Sequence, residues 1–318
     1  MAEREERLPV TVFHPDLAVG RWIPPLSFGP RLARLANVPR RSATDIPEDL
    51  LVDDIAVPGA DGAPDVGVRL IRPRTLVGRA PALLWLHGGG MILGSSSQDD
   101  ATNFAFARTL GITVASVDYR LSPQHTAPAA LEDAYAALTW LAAHAEERGI
   151  DADRIAIGGQ SAGGGLAAGL ALLTHDRGGV RPAFQLLVYP MIDDRTVVRT
   201  DADTRHVRVW TPGSNRFGWT SYLGRAPGGP GVSPYAAPAR REDLTGLPPA
   251  WIGVGSLDLF FDEDTTYAAR LEEAGVPCEL VVVDGAFHGF DTLFARKGVS
   301  RRFWRAQADA LRNALFTG

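Results

Sequence analysis

A serine between glycines follows a short apolar run near the middle of this 318-residue chain. Ser161 lies in the sequence Gly-Gln-Ser-Ala-Gly at 159–163, after the Ile-rich run at 154–158 and before small residues and leucines typical of a helix. Gly-x-Ser-x-Gly between a strand and a helix is the pattern of a nucleophile elbow, a turn so tight that glycine is needed at the flanking positions. We therefore predict that Ser161 is a nucleophile.

A serine nucleophile needs a base and an acid that orients the base, and after an elbow they follow in the order acid, then histidine. Asp258 and His288 each come shortly after an apolar, strand-like run, in that order. Residues just past the carboxyl ends of parallel strands meet at the edge where open α/β sheets assemble their sites. We therefore expect Asp258 and His288 to complete a triad with Ser161.

Asp262 is the nearest rival to Asp258. The acidic run Asp262–Asp264 fits the N-cap and first turn of the following helix, where negative charge is favourable. Asp258 is the first acid after the strand and is better placed to accept a hydrogen bond from the histidine. We predict Asp258 as the orienting acid.

A glycine-rich loop, His87–Gly90, follows the apolar run at 82–86. Its glycines can present backbone N–H groups without side-chain obstruction, as an oxyanion hole requires, with the N–H of Ala162 as a further donor. No Lys-Ser or Lys-Thr follows the loop, so it is not a P-loop, and no Gly-x-Gly-x-x-Gly opens a helix after the first strand. No spacing of histidine, cysteine or carboxylates suggests a metal site. We expect neither cofactor nor metal.

Eight strand-like runs alternate with helical patterns, which predicts an α/β fold with a doubly wound, mostly parallel sheet. The first two runs, separated by a turn-rich spacer, predict an antiparallel pair, and the others are continuously apolar, as in strands buried on both faces. The runs lie at 52–57, 66–71, 82–86, 112–117, 154–158, 184–189, 249–254 and 278–283. Helices are predicted at 100–110, 128–149, 162–175, 264–274 and 300–315.

Two segments fall outside this alternation. Residues 1 to about 48 are rich in proline and arginine, with a weak helical spacing around Leu32, Leu35 and Val38, and predict an appended segment. Residues 192 to about 245 are too many for a structureless loop in a compact domain, so we predict an inserted cap. Its aromatic residues either line a pocket or only hold the insertion to the body: Trp210, Phe217, Trp219 and Tyr222.

Composition and charge argue against some classes of binding partner. The net charge is -5 and the basic residues are dispersed, which argues against nucleic acid or an anionic membrane surface. The single cysteine, Cys278, excludes a disulfide within the chain. The charged first residues are not followed by an apolar stretch, and no run of about 18 apolar residues occurs. We expect a cytoplasmic protein without a membrane span.

Taken together, these motifs resemble the hormone-sensitive-lipase-like branch of the α/β-hydrolases, the bacterial family IV esterases with an N-terminal cap. The resemblance covers residues 80 to 291 in the family's order. The matching segments are His87–Gly90, Val117–Pro123, Pro128–Asp133, Gly159–Gly164, Tyr189-Pro190, Asp258-Leu259 and His288–Phe290.

The resemblance implies a single α/β-hydrolase domain with an eight-stranded sheet and a helical cap formed by about 1–48 and 192–245. It implies a serine carboxylesterase that hydrolyses small-molecule esters of short to medium acyl chains through an acyl-enzyme. The implied triad is Ser161, Asp258 and His288, and the implied oxyanion hole is formed by the N–H groups of Gly88, Gly89 and Ala162. A homodimer joined through the edge strand at 278–283 rests on the same resemblance.

Two alternatives use the same scaffold. An amidase or peptidase shares the triad and the tetrahedral intermediate, and a ligand-binding protein could retain the fold without catalysis.

The chain also departs from the family beside its nucleophile, because Gln160 stands where the family usually has Asp and Gly165 where it has Asn. Neither residue belongs to the triad, so we expect catalysis to survive, but the hydrogen bonding that braces the elbow is left open.

Overall fold

Eight strands form one sheet in the computed structural model, which describes residues 12–29 and 45–317. The strands are β1 (Leu50–Val57), β2 (Val66–Pro73), β3 (Ala80–Leu86), β4 (Thr113–Asp118), β5 (Ile150–Gln160), β6 (Phe184–Val188), β7 (Ala250–Gly255) and β8 (Cys278–Val283). Their order across the sheet is β1-β2-β4-β3-β5-β6-β7-β8, and β2 alone runs in the opposite direction to the other strands. The predicted antiparallel first pair and the mostly parallel sheet are confirmed.

Helices connect the parallel strands. They are α1 (Asp100–Leu110), α2 (Ala129–Ala143), α3 (Ala162–Arg177), α4 (Pro212–Leu223), α5 (Phe261–Glu273), α6 (Phe290–Leu293) and α7 (Gly298–Phe316). Short 3₁₀ helices lie at Pro15–Trp22, Ala60–Gly62, Asp194–Val198 and Pro238–Arg240. Within the described ranges, no helix has both the length and the apolar character needed to cross a membrane. The cytoplasmic location stays a prediction.

The helices cover both faces of the sheet, which explains why its central strands are apolar throughout. Side chains of α2, α3 and α5 share one core with one face of the strands, and those of α1 and α7 share another with the opposite face. Strand β3 shows the alternation directly: Leu84 and Leu86 enter the first core, whereas Leu83 and Trp85 enter the second. Every residue of this strand is buried.

Two predicted helix boundaries were wrong. Helix α2 ends at Ala143, because the chain after it forms turns up to Gly149, whose φ of 65° is left-handed. Helix α5 begins at Phe261, so Asp262 lies in its first turn and is not its N-cap. The chain turns earlier than expected because the carboxylate of Asp258 accepts a hydrogen bond from the N–H of Phe260 at 3.0 Å.

The segment 192–245 contains α4, which the sequence pattern did not predict, and it is fastened to the body by a buried acid. Glu263 on α5 accepts hydrogen bonds from the N–H groups of Ile192 at 2.9 Å and Asp193 at 3.1 Å. From the N-terminal segment, the N–H of Phe28 donates to the hydroxyl of Ser214 on α4 at 2.8 Å. The helical spacing around Leu32, Leu35 and Val38 lies outside the described residues.

Candidate active site

Ser161 occupies the one-residue turn between β5 and α3. Its φ of 55° and ψ of -120° are unfavourable for a residue with a side chain. The turn packs directly on the end of β3, since a Cβ at Gly163 would lie 1.9 Å from the carbonyl oxygen of Leu86. The elbow therefore requires glycine at 163 for lack of space. This geometry presents the Ser161 side chain at the carboxyl edge of the sheet.

The three residues predicted as a triad meet at this edge. His288 Nε2 lies 2.9 Å from Ser161 Oγ, and His288 Nδ1 lies 2.8 Å from Asp258 Oδ2. All three residues are buried, each at most 6% exposed. Asp262, the rival acid, points away and pairs with Arg199 at 2.7 Å.

These contacts fix the protonation pattern of the imidazole. A carboxylate only accepts hydrogen bonds, so Nδ1 carries the proton that is donated to Asp258. Nε2 then has a free lone pair directed at the hydroxyl of Ser161. This is the arrangement in which a histidine can take the proton of a serine during attack on a carbonyl.

The loop after β3 lies against the elbow. A Cβ at Gly88 would be 3.5 Å from that of Ser161, and one at Gly89 would be 2.2 Å from the carbonyl oxygen of Leu93. Gly89 also has a φ of 119°, so both space and backbone conformation require glycine there. Gly88, Gly89 and Ala162, the predicted oxyanion-hole residues, therefore lie beside the nucleophile.

His87 supports this loop from within the core. Its imidazole stacks on the ring of Tyr119 with centroids 4.1 Å apart, and the Tyr119 hydroxyl donates to the His87 carbonyl at 2.7 Å. Burial lowers the pKa of His87 to about 4, so the ring is neutral at physiological pH. We attribute to His87 a structural role under the loop.

Four non-glycine residues in the described part of the chain have a positive φ, and all belong to segments around this site. Met91 follows the glycine loop, Ser161 forms the elbow, Tyr189 follows β6 beside His288, and Val209 precedes the aromatic residue next to that histidine. Strained backbone of this kind persists where the surrounding structure enforces it, and it clusters at functional sites.

Of the four cap aromatics, Trp210 is the one in ring contact with the triad. Its indole lies 6.5 Å from the imidazole of His288, and Phe28 stacks on it at 6.5 Å. Trp219 and Tyr222 are fully buried in the core, and Phe217 packs against that core.

Sequence reasoning missed two acids near the elbow, the buried Asp99 and the partly buried Asp291. Asp99 accepts a hydrogen bond from the side-chain amide of Gln160 at 2.7 Å, and Asp291 accepts one from the hydroxyl of Tyr189 at 2.8 Å. Burial raises the pKa of Asp99 to about 6 and raises that of Asp291. Tyr189 carried a signal as part of the Tyr-Pro motif and Gln160 as a departure from the family's elbow, whereas neither acid carried one.

Comparison with known proteins identifies the family of the chain. A family model described as the α/β-hydrolase fold matches residues 83–292. Esterase LipI of Mycobacterium tuberculosis is 37% identical over 264 residues, which cover 81% of this chain and 79% of LipI. Carboxylic ester hydrolase LipN of the same organism is 38% identical over 277 residues, which cover 83% of this chain and 70% of LipN.

Solved structures give the same result. A bacterial heroin esterase superposes with a TM-score of 0.87 at 40% identity, covering 96% of this chain and 98% of that one. Esterase LipW from Mycobacterium marinum superposes with a TM-score of 0.76 at 37% identity, covering 84% of this chain and 82% of LipW. These relatives do not favour the peptidase or the non-catalytic alternative. The chain is a carboxylic-ester hydrolase, and it belongs to the hormone-sensitive-lipase-like carboxylesterases of the α/β-hydrolase superfamily.

Proposed function

We propose that Ser161, His288 and Asp258 carry out ester hydrolysis as nucleophile, general base and orienting acid. The observation that supports this proposal is the unbroken contact from Ser161 Oγ through both ring nitrogens of His288 to Asp258, at 2.9 and 2.8 Å. As Ser161 Oγ attacks the carbonyl carbon, its proton passes to Nε2, and the buried carboxylate stabilises the imidazolium. His288 then protonates the leaving alkoxide, which leaves an acyl-enzyme. Water, activated by the same histidine, releases the acid.

The negative charge on the carbonyl oxygen would be held by the N–H groups of Gly88, Gly89 and Ala162. Such donors are worth about two to three orders of magnitude in rate when they are fixed before the reaction begins. The support here is the close packing of the loop on the elbow, in which a Cβ at Gly88 would lie 3.3 Å from the carbonyl oxygen of Gln160 and 3.5 Å from the Cβ of Ser161.

The substrates we propose are esters with short to medium acyl chains. Ser161 is only 6% exposed, and Trp210 lies beside the triad, so space at the nucleophile is small. The described part of the N-terminal segment and the segment 192–245 would form the cap that restricts it. Because a heroin esterase is similar over nearly the whole chain, heroin belongs in the substrate panel.

We also propose a homodimer through β8. This strand ends the sheet, and Leu280 and Val282 on it are 38% and 43% exposed. An exposed apolar edge strand can pair with a second copy of itself. Light scattering after gel filtration tests the mass in solution, and a monomer at all concentrations would exclude the proposal.

The triad is tested with the purified full chain and p-nitrophenyl acetate. We expect Ser161→Ala to lower kcat by about four to six orders of magnitude, whereas Ser233→Ala, at an exposed serine outside the triad, keeps wild-type activity. A p-nitrophenyl phosphonate should label the wild type on Ser161 and leave the Ser161→Ala variant unlabelled. Full activity in a folded Ser161→Ala protein would disprove the assignment.

A further inference from the structure

Gln160, directly before the nucleophile, contacts the buried acid Asp99 and the hydroxyl of Tyr189 through its side chain. Its Nε2 donates to Asp99 Oδ1 at 2.7 Å, and its Oε1 is 3.3 Å from the hydroxyl of Tyr189. The same hydroxyl donates to Asp291 Oδ1 at 2.8 Å. The side chains therefore form a continuous polar path from Asp99, which caps α1, past the elbow to Asp291 on α6.

Position 160 in this path needs a donor on the side that faces Asp99. The second oxygen of Asp99 accepts from Trp85 Nε1 at 2.8 Å, so its first oxygen requires a separate donor. An amide supplies that donor from its NH₂ group, whereas an ionised carboxylate can only accept; the single proton of the Tyr189 hydroxyl points mainly at Asp291, the shorter of its two contacts, so the 3.3 Å contact with Gln160 Oε1 is the weaker one. With a pKa of about 6, Asp99 is ionised at pH 8, and a carboxylate at 160 would face it without a proton between them.

The other end of the path reaches the proposed base. Tyr189 meets the imidazole of His288 edge to face, with ring centroids 4.8 Å apart. Its backbone is held in an unfavourable conformation, φ 37°, by a hydrogen bond from its N–H to the carbonyl of Gly253 at 2.7 Å. Tied at both its hydroxyl and its backbone, Tyr189 fixes one side of the imidazole.

Among the described residues, few charged groups lie around His288 and Asp99. His288 faces Asp258 from the loop after β7 and Asp291 from α6, while the rings of Phe260 and Trp210 lie on its other sides. Asp99 has Asp100 next to it in the chain and is repelled by Asp291.

We propose that Gln160 is a positioning residue that ties the nucleophile elbow to the loop of His288 through Tyr189 and Asp291, and that it must be an amide because Asp99 lies opposite. This inference rests on the proposed triad. It explains why position 160 departs from the family's usual Asp. In the pair formed by positions 99 and 160, the acid is Asp99, and Gln160 supplies the hydrogen-bond donor.

A charge exchange between the two positions tests the proposal. Gln160→Glu keeps the shape of the side chain but removes its donor. The double variant Gln160→Glu with Asp99→Asn restores one donor and one acceptor, and the asparagine at 99 can still accept from Trp85. We compare both variants and Asp99→Asn with the wild type in p-nitrophenyl acetate hydrolysis from pH 5 to pH 9.

We expect Gln160→Glu to lower kcat about tenfold or more at pH 8 with little change in KM. The ratio of variant to wild-type activity should rise toward pH 5, because one of the two facing carboxyls then holds a proton and can donate. The double variant should return to within about threefold of the wild type at every pH. Wild-type activity of Gln160→Glu at pH 8, or no recovery in the double variant, overturns the proposal.

Two further variants keep the test informative if Gln160→Glu does not fold. Tyr189→Phe breaks the link, and Asp291→Asn keeps an acceptor but removes the charge near His288. We expect Tyr189→Phe to lower kcat, and Asp291→Asn to move the acid limb of kcat/KM to lower pH. If both leave the profile unchanged, the path does not act on His288. Ser161→Ala is assayed alongside. If it is inactive while the other variants behave like the wild type, the triad stands and only the role of Gln160 fails; if it is active, the triad itself fails.

Discussion

Trp210 and His288 come from segments far apart in the chain, yet their rings lie 6.5 Å apart at an angle of 40°. Phe28 from the N-terminal segment stacks on the indole of Trp210. The indole Nε1 donates a hydrogen bond to Oδ1 of Asn215 on α4 at 3.2 Å. The indole is 4% exposed. We expect a large, fixed ring at this position to limit the length of acyl chain that fits beside the nucleophile.

Trp210→Ala should therefore shift the acyl-chain preference toward longer chains. We expect the ratio of kcat/KM for p-nitrophenyl octanoate to that for the acetate to rise about tenfold, since pocket contacts of one to three kcal/mol decide such preferences. The ratio is measured over a series of chain lengths. Trp22→Ala is the control, because that indole is 76% exposed. An unchanged ratio in Trp210→Ala would place the acyl group elsewhere.

Gly89→Ala should lower kcat without unfolding the protein. The added methyl group would lie 2.2 Å from the carbonyl of Leu93, at a φ of 119°, so the loop has to move and its N–H groups with it. We expect kcat to fall about a hundredfold or more. Gly78→Ala is a matched control, since Gly78 also has a positive φ but no atom within 4 Å of an added Cβ. Equal kcat in both variants would argue against the oxyanion role.

The sheet and the positions of the triad could be predicted from sequence because both depend on local patterns. Continuous apolar runs mark strands covered on both faces, and the carboxyl ends of parallel strands necessarily meet at one edge. This position, together with the order of acid and histidine after the elbow, led to the prediction of Asp258 and His288. Helix α4 gave no such pattern, because its buried face includes Ser214, Asn215 and Gly218.

The polar path beside the elbow could not be predicted in the same way. Gln160 and Asp99 are 61 residues apart, and Tyr189 and Asp291 are 102 residues apart. Such pairs are created by the packing of elements that are distant in the chain, and no spacing in the sequence predicts them. Asp264 is a different case, because it precedes Tyr267, Ala268 and Leu271 at helical spacing, and that periodicity places it on the buried face of α5.

Asp264 is indeed fully buried, and neither of its carboxyl oxygens has a hydrogen-bond partner among the described residues. Burial, reinforced by the nearby Glu263 and Asp258, raises the pKa of this carboxyl well above its usual range. The folded protein therefore keeps a proton that the unfolded chain releases above about pH 4. Since the folded state then binds more protons, its stability falls as the pH rises from there toward the folded-state pKa.

Asp264→Asn removes this pH-dependent loss, because the amide has nearly the same shape and carries no charge. We expect the variant to gain Tm relative to the wild type, with a gain at least about 2 °C larger at pH 8 than at pH 5. Thermal unfolding followed by circular dichroism measures both. Asp262→Asn, two residues away on a half-exposed side chain paired with Arg199, should show no such trend. If the difference between Asp264→Asn and the wild type were the same at both pH values, Asp264 would not carry the proton inferred for it.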